Sequence, residues 1–395
     1  MHALIISFGH SVTERHALML GALKSKGWST TFIGWDRGGD QTKSYIYQEV
    51  VDEFRWVTLP APVQSKKLSA KLPQYYYRLW QLLSRLENPD LVIITHIALL
   101  PLAYRFSCPK IYDSFEFFSL HMALYFGPLE QFVWPLWRRL EALLVKQVDG
   151  VTTVDSYQGW LEKFFRQYKN KVQPIWNFPS KGDDPETTEV EALKEKYGSR
   201  QVIALVGGLM KAKGLRVALE AAALVKEKHP ASLFLFIGTM KDDAEAVSRL
   251  ISSRNLETYT LFLPFMPYQM MQAHLKHARI GLVLYQQMLH MPYLGRGTGR
   301  MSFTHMQAGI PIVAPDFGDI GAIIKEENCG ILTDSTSSAA VAREIMHLLE
   351  NPETAAAMGR RGRQAFLSKY NWELEEEKFL NFVEKIIEKG LVRSG

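Results

Sequence analysis

The chain has 395 residues, 47% of them hydrophobic and 22% charged, the make-up of an ordinary globular protein long enough for two domains with separate cores. Two cysteines, Cys108 and Cys329, exclude a disulfide framework and suit a reducing compartment, and no run approaches the roughly eighteen apolar residues of a membrane span. Met1 to Ile6 is too short and too little charged for a signal peptide, so a cytoplasmic protein is expected, and the formal net charge of +5 suits nucleotide phosphates, anionic lipid or nothing in particular.

Strands and helices alternate from the start. Ala3 to Phe8 reads as a buried strand, Gly9-His10-Ser11 as a turn, Val12 to Lys26 as a helix stopped by Gly27, and Trp28 to Trp35 as a second strand. That is the opening unit of a doubly wound α/β domain. Between Lys66 and Arg85, the cations Lys66, Lys67, Lys71, Arg78 and Arg85 are interleaved with tyrosines, leucines and Trp80. Such a stretch lies on an anionic membrane surface or is an ordinary helix with its aromatics in the core. Leu91 to Thr95 is the plainest buried strand of the first half and leads to His96; Lys110 to Asp113 is another and runs into Ser114, Phe115 and Glu116. In a parallel sheet both strand ends carry ligand-binding positions, which makes His96, Asp113 and Glu116 candidates. Leu140 to Val148 reads as a helix, Gly150 to Val154 as a strand, Ser156 to about Tyr168 as a helix, and Val172 to Pro179 as the last strand of this half. Ser180 to Glu191 is polar, acidic and without apolar period, so the expected division is a first domain at 1–180, a linker at 181–200, a second domain at 201–371 and a closing helix at 372–395.

The second half restarts the alternation. Val202 to Val206 is a strand, followed by Gly207, Gly208, Lys213 and Gly214, a helix to about Lys228, and a strand from Ser232 to Ile237 closed by Gly238. A strand, glycines, a lysine and a helix make a phosphate-type loop, although no Gly-Lys-Ser/Thr follows to make it a Walker motif. Leu261 to Met266 and Ile280 to Tyr285 add two strands. Gly295, Gly297, Gly299 and Arg300 then lead into Met301 to Ala308, where Met301, Thr304, His305 and Ala308 recur on one helical face. Gly309 stops that helix, Ile310 to Ala314 reads as a buried parallel strand, and Pro315 to Asp319 leaves its carboxyl end. A helix N-terminus after glycines, beside such a loop, is where an α/β sheet binds phosphate. Helices from Ser337 to Asn351, from Pro352 to Tyr370 and from Trp372 to about Lys389 complete the chain.

The run Ala308-Gly309-Ile310-Pro311-Ile312-Val313-Ala314, with Cys329-Gly330-Ile331-Leu332 after it, resembles the donor-site signature of the GT-B glycosyltransferases, in particular the retaining family 4 enzymes (glycosyl transferases group 1). Further likenesses run in order along the chain: Arg15, Thr31 to Arg37, His96, Tyr112-Asp113, Glu116, Asn177-Phe178-Pro179, Lys213 and Tyr370 to Glu373. The resemblance implies two Rossmann-like doubly wound α/β domains facing across a cleft, with the closing helix at 372–395 packing back on the first domain, and a hexosyltransferase-type transfer of sugar, with retention, from a nucleoside-diphosphate donor to a glycan, lipid-linked or other acceptor. It implies no metal and no cofactor apart from the donor itself. The donor would lie on the second domain at Gly207, Gly208, Lys213, Gly238, Arg300, Thr304 and Gly309, and the acceptor on the first domain near Gly9, Arg15, Asp113 and Glu116. Positive charge is needed where the diphosphate departs, so Lys213 and Arg300, with His96, are the catalytic candidates. Four signature positions differ: Gly208 stands in place of an arginine, Arg296 and Thr304 in place of a glutamate pair, and Phe115 in place of a histidine. These leave a second reading, a catalytically degenerate GT-B protein that serves as a binding or scaffold subunit. A cytoplasmic location with docking on the inner membrane face fits the basic aromatic stretch, no nucleic-acid motif is present, and His274, His277, His290 and His305 lack metal-ligand spacing.

Overall fold

The computed structural model describes residues 1–9, 11–38, 47–60, 68–116, 118–124, 129–154, 166–286 and 299–394. Two units are present, one formed by Met1–Trp176 with Glu375–Gly395 and the other by Asn177–Leu374.

Seven parallel strands carry the first unit: β1 (His2–Ile6), β2 (Ser29–Asp36), β3 (Glu53–Thr58), β4 (Leu91–Ile94), β5 (Lys110–Ser114), β6 (Gly150–Thr153) and β7 (Val172–Pro174), in the order β3-β2-β1-β4-β5-β6-β7. The central strands are near-continuous apolar runs because both of their faces are covered. Ile5 of β1 lies in register with Phe32 of β2 on one side and Ile93 of β4 on the other, so the winding direction reverses at β1. The edge strand β3 alternates Glu53, Phe54, Arg55 and Trp56, and is the one strand of this sheet missing from the sequence reading.

Helix α1 (Glu14–Ser25) starts at Thr13, whose hydroxyl accepts from the His16 amide. Helices α2 (Leu68–Leu83), α3 (Phe118–Leu124) and α4 (Glu130–Leu144) follow, with a 3-10 segment at Ile97–Arg105. Right-handed connections place α1 on one face of the sheet and α2, residues 97–105 and α4 on the other. On that second face, Tyr75 of α2 stacks on Trp35 at 4.1 Å and the Tyr76 hydroxyl donates to the Ala98 carbonyl. The helix expected from Ser156 falls largely outside the described residues, as do His10, Lys66, Lys67 and Phe117; Arg166–Lys171 forms a 3-10 turn.

The second unit has six parallel strands, β8 (Gln201–Val206), β9 (Ser232–Ile237), β10 (Thr260–Leu263), β11 (Ala278–Leu282), β12 (Ile312–Pro315) and β13 (Gly330–Thr333), in the order β10-β9-β8-β11-β12-β13. Its helices are α5 (Thr187–Ala192), α6 (Lys194–Tyr197), α7 (Leu215–Lys228), α8 (Ala244–Ser253), α9 (Tyr268–Leu275), α10 (Arg300–Ala308), α11 (Gly318–Glu326), α12 (Ser338–Glu350) and α13 (Pro352–Lys369). Phe234, Phe236, Leu219, Ile280 and Ile345 meet in one buried core.

Residues 181–200, read from the sequence as a linker, carry α5 and α6 and lie within this unit. Their polar residues are employed locally: Glu186 and Glu189 form a capping box, Asp184 pairs with Arg363, and the buried Tyr197 hydroxyl bonds to His274. Burial lowers His274 to about 4, so the ring is neutral at physiological pH.

The last helix, α14 (Trp372–Ser394), returns to the first unit from Glu375 onward. The Glu375 carboxylate accepts from the Trp176 amide at 2.8 Å, and Phe379, Val383 and Ile386 are buried. The helix lies against β6 at Gly150, where a β-carbon would come within 2.3 Å of Ile386 Cδ1 and 2.7 Å of Phe382 Cζ. Gly150→Ala is therefore expected to cost about 1–3 kcal/mol through overpacking. Urea unfolding of the first unit measures this, and an unchanged midpoint would mean that α14 yields without cost. Among the described residues, no helix is long and apolar enough to cross a membrane.

Candidate functional site

The strands of the second unit end in a group of close-packed loops. Gly207 follows β8 with φ +106°, and its amide donates to the Ile237 carbonyl of β9 at 2.9 Å. Gly238 follows β9 with φ +147°, and a β-carbon there would sit 1.8 Å from the Gly207 carbonyl oxygen, so only glycine fits. Beyond the sheet the two loops remain joined, Leu209 N to Thr239 O and Lys241 N to Leu209 O, both at 2.9 Å. The chain then turns through Lys211–Lys213 into the left-handed Gly214, which is pressed against the backbone of Leu284, and α7 begins.

This turn aims Lys213 back over the strand ends. Its Nζ lies 3.6 Å from where a β-carbon of Gly207 would be, and Met301 Sδ lies 3.3 Å from the same point. The Tyr285 ring is 6.0 Å from that ammonium. Gln286 fixes the turn from the side, its amide donating to Ala212 O at 3.0 Å and its Nε2 to Ser335 O at 2.8 Å. Gly299, which caps the start of α10, abuts Ile320 in the first turn of α11. An ammonium, a glycine exposing backbone, and two adjoining helix starts at the carboxyl ends of parallel strands make an anion-binding arrangement.

Gly208 bears no side chain, but another residue covers it. The side chain of Lys241 crosses this glycine, with Cδ and Cε 3.4 Å and Nζ 3.7 Å from a notional β-carbon. Lysines thus flank the Gly207-Gly208 turn from two loops. Lys241 was not among the sequence candidates. The β8–β9 pairing that brings it there was itself readable, and extending that pairing one loop further would have found it.

The remaining candidates are placed differently. The Arg300 guanidinium lies 5.0 Å from the Tyr268 ring centre and donates to Asn177 Oδ1 at 3.3 Å, and the neighbouring Met301 is the residue that faces Gly207. Thr304 is 2% exposed, its hydroxyl donating to the Arg300 carbonyl at 3.1 Å and accepting from Tyr268 at 3.2 Å, so it braces α9 against α10. Gly309 ends α10 in the left-handed conformation, nine residues and roughly 13 Å from the helix start. Gly295, Gly297, Arg296 and His290 lie outside the described residues.

In the first unit, Asp113 is fully buried at the end of β5. It receives Arg15 Nε (3.0 Å) and Nη2 (2.8 Å), His16 Nε2 at 3.1 Å and the Thr152 hydroxyl at 2.8 Å, while Arg15 Nη1 donates to Ile175 O. Burial alone would raise its pKa, but the charge of Arg15 and the bonds from His16 and Arg15 outweigh that and hold it well below the usual carboxylate range. Arg15 and Asp113 are thus an internal clamp joining α1, β5, β6 and the end of β7. The His96 ring is stacked on Phe8 at 4.6 Å and meets Phe118 edge-on at 4.6 Å; its Nδ1 accepts from Ala98 N at 3.1 Å, so a neutral ring carries its proton on Nε2. Gly9 donates to Ser7 Oγ and accepts from Trp35 N, and the Glu116 side chain is exposed.

Two parallel-sheet, Rossmann-like units with this strand order define the GT-B fold. Over 98% of this chain, the structure is similar to sucrose-phosphate synthase from Thermosynechococcus elongatus (TM-score 0.72, 15% identity, all of that chain). It is likewise similar to HepE of Anabaena, solved in complex with UDP-glucose (TM-score 0.70, 14% identity, 98% of this chain and all of that one). Residues 187–365, most of the second unit, match the family described as glycosyl transferases group 1. Among curated proteins, a GDP-mannose-dependent alpha-(1-6)-phosphatidylinositol monomannoside mannosyltransferase of Mycolicibacterium smegmatis is 25% identical over 46% of this chain and 47% of its own length. The chain thus spans less than half the length of the first curated relatives it matches.

Proposed function

We propose that the protein transfers a hexose, with retention and without a metal, from a nucleoside-diphosphate sugar bound on the second unit to a glycan or lipid-linked acceptor served by the first. The observation that carries this reading is the convergence of Lys213 and the start of α10 on Gly207. As the bond from the anomeric carbon to the diphosphate breaks, negative charge grows on the leaving oxygens. A fixed ammonium and helix-start N–H groups stabilise that charge more than they stabilise the ground state. The new bond forms to the acceptor oxygen on the same face of the sugar, and the acceptor proton passes to a leaving phosphate oxygen. Lys213 stays protonated throughout, Arg300 acts through its packing on Tyr268, and His96 is assigned to the acceptor side through its Nε2–H.

The test is turnover with UDP-, GDP- and ADP-linked sugars, each assayed for donor hydrolysis and for transfer to glycan and lipid acceptors. Retention is read from the anomeric configuration of the product, and metal independence from turnover in chelator. Binding of a nucleoside diphosphate without any turnover across the panel would instead favour the scaffold reading. Lys241 adds a second cation beside Gly208; being exposed, it is expected to contribute modestly, with Lys241→Ala weakening UDP or GDP binding about threefold and flattening its salt dependence. Calorimetric titration at two salt concentrations measures this, and identical curves would remove Lys241 from the site.

A cytoplasmic protein docked on the inner membrane face suits a lipid-linked acceptor. The described part of the basic aromatic stretch supports this, since α2 buries Tyr75, Leu79 and Leu83 but leaves Tyr77 and Trp80 exposed.

A further inference from the structure

A surface helix normally turns its apolar stripe inward. Helix α4 has a second one facing out. Leu129, just before the helix, and Phe132, Leu136, Leu140 and Leu143 follow one another at intervals of three or four residues and so share one side; Phe132 is 75% exposed, Leu136 62% and Leu143 57%. The opposite side holds Glu141, which is buried and accepts from the Tyr112 hydroxyl at 2.8 Å. Of the two carboxylates on α4, one opens the helix (Glu130) and the other is turned inward, while the exposed Arg139 lies beside the stripe and the exposed Lys146 follows it. The neighbouring elements on this sheet face continue the pattern with large exposed aromatics, Tyr104 from residues 97–105 and Tyr77 and Trp80 from α2.

We propose that this face of the first unit is a docking surface for an anionic lipid bilayer, with α4 lying in the plane of the interface. Phe132, Leu136, Leu140 and Leu143 enter the acyl boundary, Arg139 and Lys146 meet lipid phosphates, and the tyrosines and Trp80 sit at headgroup level with their polar ends in water. The occupant is lipid and not a second copy of the chain, because a two-fold contact on this stripe would set the same cations against one another. The inference deepens the lipid-linked acceptor reading by naming the surface through which that acceptor is reached, yet its test does not depend on transfer.

The test is co-sedimentation of the full chain with vesicles of phosphatidylcholine alone and of phosphatidylcholine mixed with phosphatidylglycerol, with donor hydrolysis measured in parallel on soluble substrate. The parent is expected to bind the mixed vesicles and to be released by salt. Phe132→Ser with Leu136→Ser should reduce vesicle affinity by about tenfold or more. Arg139→Glu with Lys146→Glu should abolish the preference for anionic lipid. Both variants should keep the parent's unfolding temperature and donor hydrolysis, since the altered side chains lie outside the core and the donor site. Absence of binding by the parent, unchanged binding by the serine variant, or a parent dimer that the serine variant dissolves each overturns the proposal. Vesicle binding that behaves as described without any sugar transfer leaves the docking surface in place and removes the transfer reading.

Discussion

Replacing Lys213 by alanine is expected to lower UDP or GDP affinity, and turnover with it, by roughly ten- to a hundredfold while the protein stays folded. One charge-assisted hydrogen bond to a phosphate is worth about 1.5–3 kcal/mol, and each 1.4 kcal/mol is a factor of ten. The ammonium is held in place by a turn that does not depend on it: Gly214 packs on Leu284 and Gln286 clamps Ala212 whatever residue stands at 213. Arg300→Ala provides the contrast. Its guanidinium lies on Tyr268 and bonds Asn177, so its loss should leave nucleotide binding within about twofold of the parent. Calorimetry with UDP and GDP on both variants decides the matter. Full binding by Lys213→Ala would move the donor elsewhere, and a large loss in Arg300→Ala would mean that the guanidinium swings to the ligand when it binds.

A second large effect is expected in the first unit. Asp113→Ala leaves the Arg15 guanidinium buried without its counter-charge, and breaking such a pair from one side costs about 3–5 kcal/mol. In urea this should appear as an early transition belonging to the first unit, with the transition of the second unit unmoved, because separate units need not unfold together. The pH dependence has a definite sign. The carboxyl pKa of Asp113 is lower in the folded protein than its ordinary value of 3.8, so the native state binds fewer protons than the unfolded chain near that pH. Its stabilisation is complete above pH 3.8 and shrinks as the pH falls further toward the depressed value; the variant should lack that part of the acid sensitivity. Equal urea midpoints for parent and variant would show that the Arg15–Asp113 clamp contributes nothing net.

What the sequence disclosed follows from which residues are buried on both sides. Strands β1, β4, β8, β9 and β12 are continuous apolar runs because helices cover both faces of a parallel sheet, and such runs stand out against polar loops. Strand β3 did not stand out, since at a sheet edge Glu53 and Arg55 alternate with Phe54 and Trp56 and no long apolar run forms. Residues 181–200 read as a linker because their polar groups serve as caps and ion pairs, and composition alone does not distinguish a used polar residue from a solvated one. The phosphate-type loop at Gly207 to Gly214 was legible from glycine spacing. The direction of side chains on α10 was not: which of Arg300 and Met301 meets Gly207 depends on the rotation of that helix against β8, and this is set by Tyr268, Gln272 and Gln307 from outside the motif.

The return of α14 to the first unit also has a bearing on the order of synthesis. On the ribosome, the residues from Asn177 to Leu374 form an uninterrupted set and can complete their sheet as soon as they emerge, whereas β6 must wait for the last stretch of chain before Gly150 is covered. The half translated first is thus the half finished last. A chain truncated before Phe379 would present the naked side of β6 to chaperones and proteases, with its second half complete.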